Sequence, residues 1–157
     1  MITQAYRIGP PLALWFRQSS VLDIMQRRKH RVRNPTFPYS RCNEDRFGLF
    51  RVHTLEFDHD FEARHVDDVL AANAHLTHAR FHHVLAFEEA YPELIDSEAL
   101  IVGLGRRFSA IITVRGVSVR RDLLVALGGS RKGRRGVEIS FWEDPFPRTS
   151  TILLAHK

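Results

Sequence analysis

The chain has 157 residues, 44% of them hydrophobic and 26% charged, with 23 Lys and Arg against 18 Asp and Glu for a net charge of +5. That length suits one domain around one core. The composition excludes a disordered or collagen-like chain, and no stretch approaches the roughly 20 apolar residues of a membrane-spanning helix. Cys42 is the only cysteine, which excludes an intrachain disulfide; with no secretory signal at the start of the sequence, a cytoplasmic setting is expected.

Charge is unevenly laid out. Residues 1–52 carry a balance of +7, residues 53–98 carry −9 together with seven of the nine histidines, and residues 99–157 carry +7 again. Twenty of the basic residues are Arg and three are Lys. Arginine's planar fork grips phosphates and carboxylates in pairs. Either the acidic middle folds against its basic flanks and neutralises them, or the surface divides into a basic face for a polyanion and an acidic, histidine-rich face. Internal neutralisation is the simpler expectation.

In chain order, residues 2–8 suit a short strand stopped by Gly9-Pro10-Pro11. Apolar spacing from Leu12 to Gln26 suits a helix beginning near Ser19 or Ser20, with Ser20 as N-cap. The basic tract Arg27–Arg33 follows, then a loop held irregular by Pro35 and Pro38. Residues 47–57 alternate as a strand. Residues 62–91 read as one long helical stretch, with Asn73–Thr77 the place for a break. Residues 108–115 form a β-branched strand. Ser118 caps a helix to Leu127, closed by Gly128-Gly129. Residues 137–143 and 149–155 are two further strands, joined by the turn Asp144–Arg148. The expectation is a single α+β domain over 1–157, its mostly antiparallel sheet of about four strands packed by two or three helices. It divides into a basic, loop-rich part (1–46), a His-rich helical segment (62–91) and a strand–helix–hairpin part (108–157).

Two tracts have the chemistry to hold a polyanion. Arg27, Arg28, Lys29, Arg31 and Arg33 would neutralise phosphates while Phe37 and Tyr39, just behind them, offer stacking surfaces for unpaired bases. The segment 128–136 sets Arg131, Lys132, Arg134 and Arg135 among four glycines, as a flexible basic finger. It lacks the residue order of a Walker loop. A third feature is the stripe His75, His78 and His82, spaced i, i+3, i+7, with Asp68 on the same side of the long helix. Such spacing could hold a divalent transition metal such as zinc, although the stripe faces away from the helix's own apolar side and suits a solvated face first. No other cofactor is indicated.

The last 24 residues, RRGVEISFWEDPFPRTSTILLAHK, resemble the end of toxin-type mRNA interferases, in which a basic strand precedes a second strand and an ILL-type run leads to His or Lys. The resemblance would set Arg134, Arg135, His156 and Lys157 near a scissile phosphate. It spans too little of the chain to assign a family. The leading expectation is therefore binding of nucleic acid, RNA or single strands before duplex DNA, with no membrane. The alternatives are a small metal- or histidine-dependent phosphodiesterase, or a non-catalytic subunit that docks protein partners or its own copies.

Overall fold

Five consecutive residues, Thr151–Ala155, are all buried. A strand covered on one face cannot do that, so this segment must be covered on both. In the computed structural model, which describes residues 5–16, 18–94, 99–131 and 134–157, it lies at the centre of a mixed sheet between two helical layers. Leu153 and Ala155 point into one core, with helices α1 (Val21–Arg27) and α3 (Phe81–Ala90). Ile152 and Leu154 point into the other, with helix α2 (Ala63–Ala71).

The described residues form ten strands: β1 (Tyr6–Ile8), β2 (Leu12–Phe16), β3 (Arg31–Val32), β4 (Gly48–Phe57), β5 (Leu76–His78), β6 (Ile101–Val102), β7 (Phe108–Val114), β8 (Val117–Arg131), β9 (Arg134–Phe141) and β10 (Thr151–His156). Their order is β1-β4-β10-β6-β8-β9-β3, with β2 also on β4, β5 on β10 and β7 on β8. The pairs β6/β10 and β3/β9 are parallel and the rest antiparallel. This overturns the expected four-strand antiparallel sheet. Strands such as β3 and β6 have two residues each and are too short to leave a periodic signal.

Residues 118–127 are not a helix but part of β8. Leu124 and Ala126 enter one core and Val125 and Leu127 the other, and a strand buried on both faces shows no alternation. The segments 137–143 and 149–155 are not a hairpin either. β9 pairs with β8, while β10 inserts between β4 and β6. The long stretch 62–91 breaks where Asn73 caps α2, its side-chain N–H donating to Val69 O at 2.8 Å, and β5 separates the two helices. The Ser20 cap is present: its hydroxyl accepts from Asp23 N at 3.0 Å. No helix of the described residues is long and apolar enough to cross a membrane.

β8 is long enough to serve two ends. Its second half sits in the sheet between β6 and β9, and its first half pairs with β7 alone. The result is a two-stranded ribbon that leaves the sheet, with Ile111, Val114, Val117 and Val119 all exposed.

Candidate functional site

The tract Arg27–Arg33 runs from the end of α1 into β3. Lys29 takes the left-handed conformation (φ 54°) after α1; its N–H donates to Gln26 O and that of His30 to Met25 O, the paired bonds of a Schellman stop. Cations are favoured there by the helix dipole. Arg27 forks onto Glu89 with both bonds at 2.7 Å, and Arg28 onto the buried Glu88 at 2.7 and 3.0 Å. Arg31 donates to the carbonyls of Arg134 and Gly129, and Arg33 lies 3.7 Å from Glu138. Tyr39 is buried and Phe37 packs edge-on against Phe108 at 5.3 Å, so neither ring is the open stacking surface expected. Of the basic residues of this tract, only Lys29 stands exposed without a carboxylate among the described residues.

The second tract is the tip of the β8–β9 hairpin, where Arg131 pairs with Arg134 in register. The described residues of the tract belong to paired strands, with an irregularity in register between Leu127 and Ser130, and not to a free loop. Arg135 is buried and donates to the carbonyls of Ala99 and Gly128. Lys132 lies outside the described residues, as does the side chain of Arg131. Arg134 is exposed.

Other arginines surround the ribbon. Gly103 and Gly105 bring the 103–107 loop hard against β5 and α3. Gly105 N donates to Ala79 O at 2.8 Å, and a Cβ on Gly103 would lie 2.6 Å from that same oxygen. The loop thereby sets Arg106 over the Phe108 ring at 5.1 Å, with Arg41 also on that ring at 5.6 Å, and Arg107 over Trp142 at 4.8 Å. Arg120 reaches Ser109 on the ribbon, and Arg115 stands at the tip. Arg115 and Gly116, at φ 52° and 77°, make a two-residue turn of the kind that asks for Asn-Gly. An arginine held left-handed costs about 1 kcal/mol or more. Among the described residues no carboxylate pairs with Arg41, Arg106, Arg115 or Arg120. Sequence reading missed all four; the one available signal was Arg-Gly between two β-branched runs, a hairpin-turn pattern.

The histidine stripe does not exist as a stripe. His82 is buried in α3, its Nδ1 accepting from Glu44 N at 2.9 Å and its Nε2–H donating to Ser19 O at 2.7 Å, so both ring nitrogens are used. His78, on β5, meets Asp67 at 2.8 Å, not Asp68, which is exposed on α2. His75 sits in the turn before β5. No group of three metal-ligating side chains comes together among the described residues, so the set His75, His78, His82 and Asp68 is not assembled. Two other histidines do other work: Nδ1 of His65 accepts from Glu62 N and that of His83 from Arg80 N, each closing the first turn of its helix.

A different histidine group forms instead. His53 on β4 and His156 on β10 meet Nε2 to Nε2 at 2.7 Å, with their planes inclined by 19°. His53 Nδ1 lies 2.7 Å from Gly9 O. His75 joins with its ring centroid 5.5 Å from that of His156. Beside them opens a cleft of about 470 Å³ whose walls include Glu44, Asp45, Arg46, Arg80, His83 and Lys157. Nothing in the sequence announces the pair, since 103 positions separate its members. The lone thiol, Cys42, is buried, and desolvation pushes it up to about 11, which removes it as a nucleophile.

Comparison with protein-family models, with curated proteins and with solved structures finds no match to this chain.

Proposed function

We propose that the protein binds single-stranded nucleic acid, RNA before DNA, along the β7–β8 ribbon and the arginines at its base. The carrying observation is the contrast between the two sets of arginines. Those of the helix end are tied to carboxylates and carbonyls, while Arg41, Arg106, Arg115 and Arg120 have no carboxylate among the described residues: Arg115 and Arg120 lie on the ribbon itself, and Arg41 and Arg106 rest on the Phe108 ring at its base. A guanidinium lying flat on an aromatic ring keeps its N–H edge for a phosphate. Arg115 holds a tip position where Asn would be more comfortable, and the charge is what the arginine adds there.

Phosphate contact makes affinity depend on salt, by about 0.7 in the log–log slope for each contact on a single strand. Fluorescence anisotropy with a mixed-sequence 20-nucleotide RNA is expected to give a slope of about −2 to −3. The combined substitution R106A/R115A/R120A should flatten it by about 2 and weaken binding at least tenfold at low salt, whereas Arg27→Ala should leave the slope unchanged. An unchanged slope in the triple variant would remove the ribbon from the interface. Binding indifferent to salt would remove the reading itself.

A further inference from the structure

The sheet register puts the histidine group and the ribbon at the same end of the molecule. Thr151, Ile101 and Leu127 form one rung across β10, β6 and β8. From that rung β10 runs on to His156, and β8, being antiparallel, runs back in the same direction to Val117. A strand held on the ribbon therefore lies at the end of the sheet where His53, His75 and His156 meet. We propose that these histidines form an acid–base site that cleaves RNA through attack by the RNA's own 2′-hydroxyl, with His156 as the proton acceptor. The inference rests on the single-strand reading above.

The hydrogen-bond chain fixes where the protons are. Gly9 O can only accept, so His53 Nδ1 carries a hydrogen. With one proton on each ring, His53 Nε2 then offers its lone pair, and the Nε2–H of His156 donates across the 2.7 Å contact. This leaves His156 Nδ1 as a lone pair with no partner among the described residues. A proton taken up there makes an imidazolium whose Nε2–H leans harder on His53, and through it on the Gly9 carbonyl. His53 is thus a positioning residue that stabilises charge arising on His156. Partial desolvation, with His53, His75 and Arg51 as neighbours, holds His156 below the ordinary histidine value, so Nδ1 is free to accept at neutral pH. In the cleft beside His156, Arg46, Arg80 and Lys157 outnumber the carboxylates Glu44 and Asp45, and Glu44 is paired with Arg80, so the balance of charge suits a phosphodiester. Among the described residues, the only carboxylate hydrogen-bonded to a histidine of this end, Asp67, is engaged by His78.

The step balances without a co-reactant. His156 Nδ1 takes the 2′-hydroxyl proton, the 2′-oxygen bonds to the adjacent phosphorus, and the P–O5′ bond breaks. The departing 5′-oxygen takes a proton from His75 in its imidazolium form. The products are a 2′,3′-cyclic phosphate and a 5′-hydroxyl end.

The test incubates the full chain with a labelled single-stranded RNA and the same sequence as DNA, in EDTA, with anisotropy on the same preparations. RNA cut to 2′,3′-cyclic phosphate ends, intact DNA and a bell-shaped pH profile are expected. His156→Gln and His75→Ala should each slow cleavage about 100-fold or more with RNA affinity kept within about twofold; His53→Gln should move the acidic limb of the profile. RNA bound but uncut, RNA cut equally well by His156→Gln, or DNA cut alongside RNA would each overturn the inference and leave the binding reading standing. RNA neither bound nor cut would overturn both.

Discussion

Glu88 shows at the scale of one residue where the charge of this chain goes. Burial would raise its carboxyl, but His30 at 3.5 Å and the bidentate Arg28 outweigh that and hold it down to about 2. A depressed carboxylate stabilises the fold fully above its unfolded value near 4.5, and that contribution drains away as pH falls toward 2. Removing the partner strands a buried charge, which costs roughly 3–5 kcal/mol where the pair is fully buried and less here, because the Arg28 side chain is 33% exposed. We expect Arg28→Ala to lower the urea midpoint by the equivalent of about 2 kcal/mol or more, and Arg28→Ala/Glu88→Leu to recover part of it. An Arg28→Ala protein of wild-type stability would show that the pair is incidental. The neighbouring fork, Arg27 on Glu89, is more open to water and worth less.

Helix α3 adds a pH dependence of its own. Desolvation is the largest cause lowering both of its histidines. It takes His83, whose ring packs on Phe16 and Phe50 beside His82 and Arg80, to about 4; for His82 the Ser19 carbonyl and Glu44 partly oppose it. The unfolded chain binds these protons from about pH 6.5 downward while the folded chain refuses them until much lower, so stability is complete above 6.5 and falls as pH drops from there toward 4. His83 alone accounts for up to roughly 3 kcal/mol across that window. Thermal unfolding should show a clear fall in Tm between pH 7.5 and 5, and His83→Phe should flatten it; equal slopes for the two proteins would refute the assignment. At this scale the sequence was partly legible. Ser20 was readable as a cap, β4 from its alternation, and β7 and β10 from β-branched or apolar runs, but β8 was not, because it alternates on the ribbon, is buried on both faces in the sheet, and is bracketed by Ser118 and Gly128 as a helix would be. The charge pairs were not legible either. Arg27 and Arg28 find their glutamates 62 and 60 residues away, and no local pattern carries a contact of that separation. The site shares this trait, since His53 and His156 become neighbours only through β4–β10 pairing.

Taken whole, the molecule settles the question its charge layout posed. The acidic middle does fold against a basic flank, through Arg27, Arg28 and the Arg7–Glu56 pair; around the ribbon Arg107 and Arg121 also meet carboxylates, while Arg41, Arg106, Arg115 and Arg120 meet none among the described residues. The ribbon itself gives little to the core, with Ile111 68% and Val117 61% exposed. Replacing residues 111–120 by Asn-Gly between the paired Ala110 and Arg121 should therefore leave Tm within about 3 °C, since surface changes are small on the scale of a degree-per-kcal conversion. RNA affinity should drop at least tenfold in the same protein. A large fall in Tm would make the ribbon a structural brace. The middle of the sheet has the opposite character. β10 fills a slot between β4 and β6, bonding to Leu55 on one side and Ile101 on the other, and both lie far behind it in the chain. Until β10 arrives, β4 and β6 have no partner on their inner sides and the two helical layers have no common sheet to rest on. We expect the search for this long-range pairing to limit refolding, with a rate in the millisecond-to-second range that stopped-flow fluorescence would read. While that search lasts, open apolar edges can pair with those of another molecule, so the yield of refolded protein should fall as the starting concentration rises.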